Sequence, residues 1–189
     1  MKNILLVLTI ASLMVCCDKD NYIDSGIHEQ KHDCTVWEYF HTDRANWDSL
    51  IVMIEHAGMI KYFDGTNKDE ITILAPTNHS INQYLFQTLD DNGERLHEKV
   101  TDIPADECRE MLLSYMIHGK KFLEDFDHEV KGTQTGGTME QALSGIHLRV
   151  YRITSSFYDI PDLGAEKLAF QAPDGYIGTV ASCNIEMNN

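Results

Sequence analysis

The chain has 189 residues, of which 43% are hydrophobic, enough for one domain with a buried core. Its 30 acidic residues against 15 basic ones give a formal net charge of -15. That balance opposes nucleic acid and anionic membrane surfaces, which both depend on clustered Lys and Arg, and no basic stripe occurs anywhere along the chain.

Lys2 is the only charge before an apolar run over residues 4–15, which ends at Cys16 and Cys17 followed by Asp18, Lys19 and Asp20. The run is shorter than the roughly 20 apolar residues that span a bilayer, so residues 1–16 read as a cleaved export signal. The cysteines stand at the cleavage position, where the sequence resembles a bacterial lipoprotein lipobox whose cysteine is acylated after the cut. Small Cys16 favours Cys17 as the acylated residue; Leu13, three places before Cys16, makes Cys16 the alternative. The acidic run that follows is similar to the export signal of surface lipoproteins in the Bacteroidetes group. The resemblance implies a lipid anchor in the outer membrane, with the protein displayed on its outer face. Residues 17–33 are polar and lack apolar periodicity, as a flexible tether would, which leaves a single domain over residues 34–189. Three further cysteines, Cys34, Cys108 and Cys183, are too widely spaced for a disulfide framework or a zinc motif and read as buried thiols.

Trp37, Tyr39 and Phe40 either anchor the core or form a flat platform for a sugar ring; an exposed patch of that size is unusual on a soluble domain, which favours the core. Trp47, Leu50, Ile51, Ile54 and Gly58 recur at helical spacing, and Gly65 ends that helix. Residues 70–75 (EITILA) predict a buried strand that stops at Pro76, and Thr77 or Asn78 caps a helix carrying Ile81, Tyr84 and Leu85 on one face. After a polar loop over residues 90–94, a helix follows Pro104 with Asp106 and Glu107 in its first turn. It carries Cys108, Met111, Leu112 and Tyr115 inward and ends near Gly119. Beyond it the period alternates. Ile146, Leu148 and Val150, then Leu168, Phe170 and Ala172, then residues 177–185 predict strands, with Gly132, Gly136 and Gly137 as turns. Helices first and strands after predict an α+β fold.

Little in the chain supports catalysis. It has no G-x-S-x-G or S-x-x-K motif, and its clustered glycines lack the lysine and spacing of a phosphate loop. His28, His32, Cys34 and His41 match no closed zinc site, and the pairs Asp90–Asp91 and Asp125–Asp127 lack a calcium-loop pattern. Neither metal nor cofactor is expected.

Residues 35–78 resemble the opening of a fasciclin domain. Residues 50–59 stand for its "xLxxxLExAGL" helix, and ITILAPTNHSI for its "TVFAPTNxAF" strand and following helix, so Thr72, Ala75, Pro76, Thr77 and Asn78 are the motif positions. Leu112, Leu113 and Tyr115 with Gly119 look like the later "LLxYHVxxG" segment. Met116 stands where that family has histidine after the tyrosine, so the integrin-type adhesion linked to the Tyr-His pair is not expected. The resemblance implies N-terminal helices packed on an antiparallel β-sandwich or wedge. The chain stops at Asn188 and Asn189, before the family's closing "NGxIHVID" strand, so the sequence reads either as a truncated product or as a sheet edge completed by strand donation from a partner. The expected function is non-catalytic adhesion or binding of a protein or glycan partner at the cell envelope. A polysaccharide-processing enzyme and a carrier of a small apolar ligand are the alternatives.

Overall fold

The computed structural model of this chain describes residues 30–156, 158 and 164–188. The expected export signal, Cys16, Cys17, His28 and the tether up to residue 29 lie outside the described residues.

Among the described residues four helices precede most of the strands, giving the α+β class expected from the patterning. Helix α1 (Val36–Thr42) starts at a reciprocal cap: Glu38 N–H donates to Thr35 Oγ1 (3.2 Å) and Thr35 N–H to Glu38 Oε2 (2.9 Å). It buries Val36 and Phe40, four residues apart on one face. Helix α2 (Arg44–His56) buries Leu50, Ile51, Met53 and Ile54. It ends at His56, well before Gly65, because Gly58 adopts φ 65°. Met59 N–H then donates to Ile54 O and Gly58 N–H to Glu55 O, the Schellman pattern that stops a helix at its glycine.

Strand β1 (Ile71–Ile73) is shorter and less buried than the expected 70–75 strand, because it has a neighbour on one side only. That neighbour is β2 (Met116–His118), antiparallel with Ile71 opposite His118 and Ile73 opposite Met116. Helix α3 (Asn78–Gln87) follows β1, and α4 (Ala105–Ser114) precedes β2. The helix expected to run to Gly119 therefore stops at Ser114, where Tyr115 turns the chain into β2.

The remaining strands are β3 (Glu129–Val130), β4 (Thr135–Gly136), β5 (Thr138–Gln141), β6 (His147–Thr154), β7 (Glu166–Gln171) and β8 (Ile177–Thr179). β3 and β4 form a small ribbon; β5-β6-β7-β8 form an antiparallel sheet in that order. An Ile117–Ala142 bridge and a bond from Leu143 N–H to Met116 O (2.8 Å) join this sheet to β2. The strand expected over 177–185 leaves the sheet early. Val180 N–H still reaches Leu168 O, but Asn184 takes a left-handed φ of 61° and its Oδ1 accepts from Leu123 N–H (2.7 Å), drawing the chain away.

Two apolar cores result. One lies among the helices around Phe40, Leu50, Ile54, Phe63, Cys108, Leu112 and Met116. The other lies against the sheet around Leu74, Ile117, Phe126, Leu148, Val150, Leu168 and Phe170. The β1–β2 ribbon is their common wall. Ile71, Ile73 and Met116 serve the helical core, while Leu74, Tyr115 and Ile117 serve the sheet core, as the two-residue period of extended chain dictates.

Of the aromatic trio, Phe40 is a core residue, whereas Trp37 and Tyr39 are half-buried at the edge of the helical core. The three thiols are free, but only Cys108 is buried; Cys34 and Cys183 are half-buried, because their segments lie at the rim of the fold. Residues 30–33, expected to belong to the tether, are instead bonded into the fold: Glu186 N–H donates to Gln30 O (2.7 Å) and His32 N–H to Glu186 O (2.8 Å).

Ile117 is fully buried at 0% exposure, and Ile177 is 48% exposed at the sheet edge. Ile117→Ala is expected to cost about 2–5 kcal/mol in urea unfolding, and Ile177→Ala about 0.5 kcal/mol or less. Equal losses would refute the shared-wall arrangement.

Candidate functional site

The corner over residues 72–78 is the motif that the sequence singles out. Thr72 Oγ1 donates to Gly119 O (2.8 Å) and accepts from Lys121 N–H (2.8 Å), pinning the chain reversal after β2. Leu74 N–H donates to Tyr115 O, so β1 continues to pair up to the residues before Pro76. Ala75 packs on the helical core. Thr77 is the N-cap of α3: its backbone is extended and its Oγ1 accepts from Ser80 N–H (3.4 Å).

Asn78 reaches back to the first turns of α2. Its Oδ1 accepts from Ser49 N–H (2.7 Å), and its Nδ2 donates to Ala45 O (2.8 Å) and Arg44 O (3.1 Å). Both ends of the side-chain amide are thereby occupied, and α3 is locked to α2. The Tyr115 ring meets Phe170 edge-on at 5.8 Å, and burial pushes its hydroxyl pKa up. The structure thus brings the motif residues together as a brace between the two cores, with their polar groups engaged internally.

A second polar assembly joins the two ends of the described fold. Glu186 pairs with Lys120 and, at 3.6 Å, with Lys31. Asn188 N–H donates to Cys34 O (2.9 Å) and its Nδ2 to Asp33 Oδ1 (2.7 Å). Asn184 holds the loop at Leu123. Nothing in the sequence marks these residues, because they lie far apart along the chain and follow no local pattern. Hydrogen bonding from Lys120 holds the Glu186 carboxyl below its usual range.

Other charged groups also act within the fold. Arg109 donates from Nη2 (2.6 Å) and Nε (3.2 Å) to Ala57 O, capping the end of α2. His128 bonds Glu166, whose second oxygen lies 3.6 Å from Arg152, tying the chain before β3 to β7. Among the described residues no three His, Cys, Asp or Glu side chains converge as a metal site, and His32, Cys34 and His41 do not form one.

Two kinds of surface feature, a strand edge and hollows, are open to a ligand among the described residues. One is the outer edge of β8. Ala172 N–H donates to Tyr176 O and Val180 N–H to Leu168 O, with Phe170 opposite Gly178. Residues 176, 178 and 180 therefore turn their backbone groups toward β7, and Ile177 and Thr179 turn theirs away from it. Tyr176 is 55% exposed beside this edge. The other feature is an open hollow on α1 of about 350 Å³, lined by Trp37, Glu38, His41 and Thr42. A further hollow of about 520 Å³ beside α4 is lined by Pro104, Asp106, Glu107, Arg109 and Glu110. His41 four residues after Trp37 was a readable signal for the α1 hollow once a helix is assigned there.

Thr77→Ala is expected to cost about 1 kcal/mol of stability and Asn78→Ala about 2 kcal/mol, since the second also strands Ser49 N–H. Calorimetric melting in which Asn78→Ala is the milder change would remove the brace. The Glu186 clasp makes a separate prediction about acid. Its folded pKa is lowered, so its contribution is present above the ordinary glutamate pKa and is lost as pH falls through the folded value. Exchange of the His32 and Asn188 amides, measured by NMR, should accelerate across that acidic window in the parent, and Glu186→Gln should flatten the dependence.

A scan against protein-family models finds none that matches the chain, and a search of curated proteins finds none similar to it.

Proposed function

We propose that this protein is a non-catalytic binding module of the cell envelope, fasciclin-like in fold, held by lipid at Cys17 or Cys16 on the outer face of an outer membrane. The open edge of β8 carries the reading. A free edge offers backbone donors and acceptors to an incoming extended segment, and exposed apolar side chains beside it supply contact area. The fasciclin reading draws support from the strand, proline and capped helix at residues 71–87, an arrangement that the ITILAPTNHSI motif implies. The binding reading draws support from the internal engagement of Thr72, Thr77, Asn78, Arg109 and Glu186, polar residues that hold the fold together. Anchoring at the envelope raises the local concentration of the module toward a neighbouring surface protein, so modest strand-to-strand affinity suffices. A triacylated cysteine supplies more than the single chain that gives only marginal attachment.

The test is chemical crosslinking on intact cells that express the full chain, compared with Thr179→Pro. Thr179 N–H points away from β7, so proline there leaves the β7–β8 ladder intact and blocks an added strand. The reading expects an unchanged melting temperature and loss of the crosslinked species, with Cys17→Ala also losing it by releasing the protein from the membrane. Undiminished crosslinking in Thr179→Pro would overturn the edge as the binding surface. Release of sugars from envelope polysaccharide by the purified chain would replace the reading with a hydrolase.

A further inference from the structure

The hollow on α1 combines one aromatic wall with three polar groups whose hydrogen-bonding capacity is already partly assigned. Trp37 packs on the helical core, and the His41 ring meets it edge-on at 4.6 Å, so the indole is held in place before any ligand arrives. His41 Nδ1 bonds Trp37 O (2.8 Å), which makes Nδ1 the donor of the neutral ring and leaves Nε2 as an acceptor. Thr42 Oγ1 donates its proton to Tyr39 O (2.7 Å) and retains its lone pairs. Glu38 engages Thr35 through Oε2, leaving Oε1 as a further acceptor. The rim therefore presents acceptors around an apolar face.

We propose that this hollow binds a neutral sugar ring, with one face of the ring on the Trp37 indole and its hydroxyls donating to Glu38, His41 and Thr42. A pyranose carries an apolar C–H face and hydroxyl donors spread around its perimeter, matching acceptors that are likewise distributed around the hollow. An anionic sugar is disfavoured, since no cation lines the hollow and the chain carries a net charge of -15. An organic cation would use the same indole and carboxylate, but its donors radiate from one centre, and a single aromatic wall at an exposed site attracts it only weakly. Because the platform is already ordered, binding loses little side-chain entropy. The inference is independent of the β8 edge.

Titration of the full chain with methyl glycosides of glucose, galactose and mannose tests this, read by the indole N–H signals of the two tryptophans, Trp37 and Trp47. The expected result is a saturable shift of the Trp37 signal with millimolar affinity, insensitive to salt because the ligand is uncharged. Thr42→Val and His41→Ala should each weaken binding by about 2–10-fold, and Trp37→Ala should abolish it. Trp37→Phe, which keeps an aromatic face in the core, should retain a weakened response and guards against misreading an unfolded variant. Thr179→Pro should bind the glycosides as the parent does, which separates this inference from the edge reading. No shift of the Trp37 signal with any glycoside, undiminished binding in the folded Thr42→Val and His41→Ala variants, or a salt-sensitive response to choline in place of the sugars would overturn it.

Discussion

The β1–β2 ribbon is the constraint on which the rest of the structure depends. Six paired residues, Ile71, Thr72 and Ile73 opposite His118, Ile117 and Met116, form a wall between a helical core and a sheet core. Extended chain presents successive side chains to opposite sides, so one short ribbon can serve two cores at once. A slip of β2 by one residue would exchange the faces of Met116 and Ile117, sending each toward the other's core. Thr72 opposes that slip, since its hydroxyl bonds on both sides of the reversal at Gly119 and Lys121 fit a single register.

The helices are fixed to one another by a side-chain amide and a guanidinium group more than by charge pairs. Asn78 bridges α3 to α2, and Arg109 bridges α4 to the end of α2. Such bonds join backbone groups that helix ends leave unpaired, so they satisfy donors and acceptors that would otherwise be stranded. The exposed ion pairs, such as Arg44 with Asp48, contribute little by comparison.

Local signals in the sequence were legible where local physics decides the structure. Thr77 as a cap, acidic residues at the start of α4 and the alternation of Leu148 with Val150 each express one element's own requirements. Sequence failed where tertiary pairing overrides a periodic pattern. Leu112, Leu113, Met116 and Ile117 read as one continuous helix, yet pairing with β1 draws Met116 and Ile117 into a strand. The apolar residues after Thr179 read as more strand, yet Asn184 is held by Leu123 from another part of the chain. Helix α1 is the opposite case: the Thr35–Glu38 box is a local signal present in the sequence, but the adjacent aromatics Trp37, Tyr39 and Phe40 obscure the helical period of so short an element. The α1 hollow depends on that missed helix.

The clasp between the two ends has a consequence for the order of folding. Asn188 bonds Asp33 across a sequence separation of 155 residues, and closing so long a loop carries an entropy cost that early, local contacts do not. Helix α1 and the α2–α3 brace can form while the chain is still emerging, but the backbone bonds of Gln30, His32 and Cys34 to Glu186 and Asn188 wait until residues 184–188 arrive. A segment that emerges ahead of every described helix is therefore among the last to be secured, and until then His32 lacks the backbone bond that Glu186 supplies. Fastening of residues 30–34 is thus tied to residues 184–188, and a chain interrupted shortly before Asn184 would keep most of both cores while leaving that stretch unfastened.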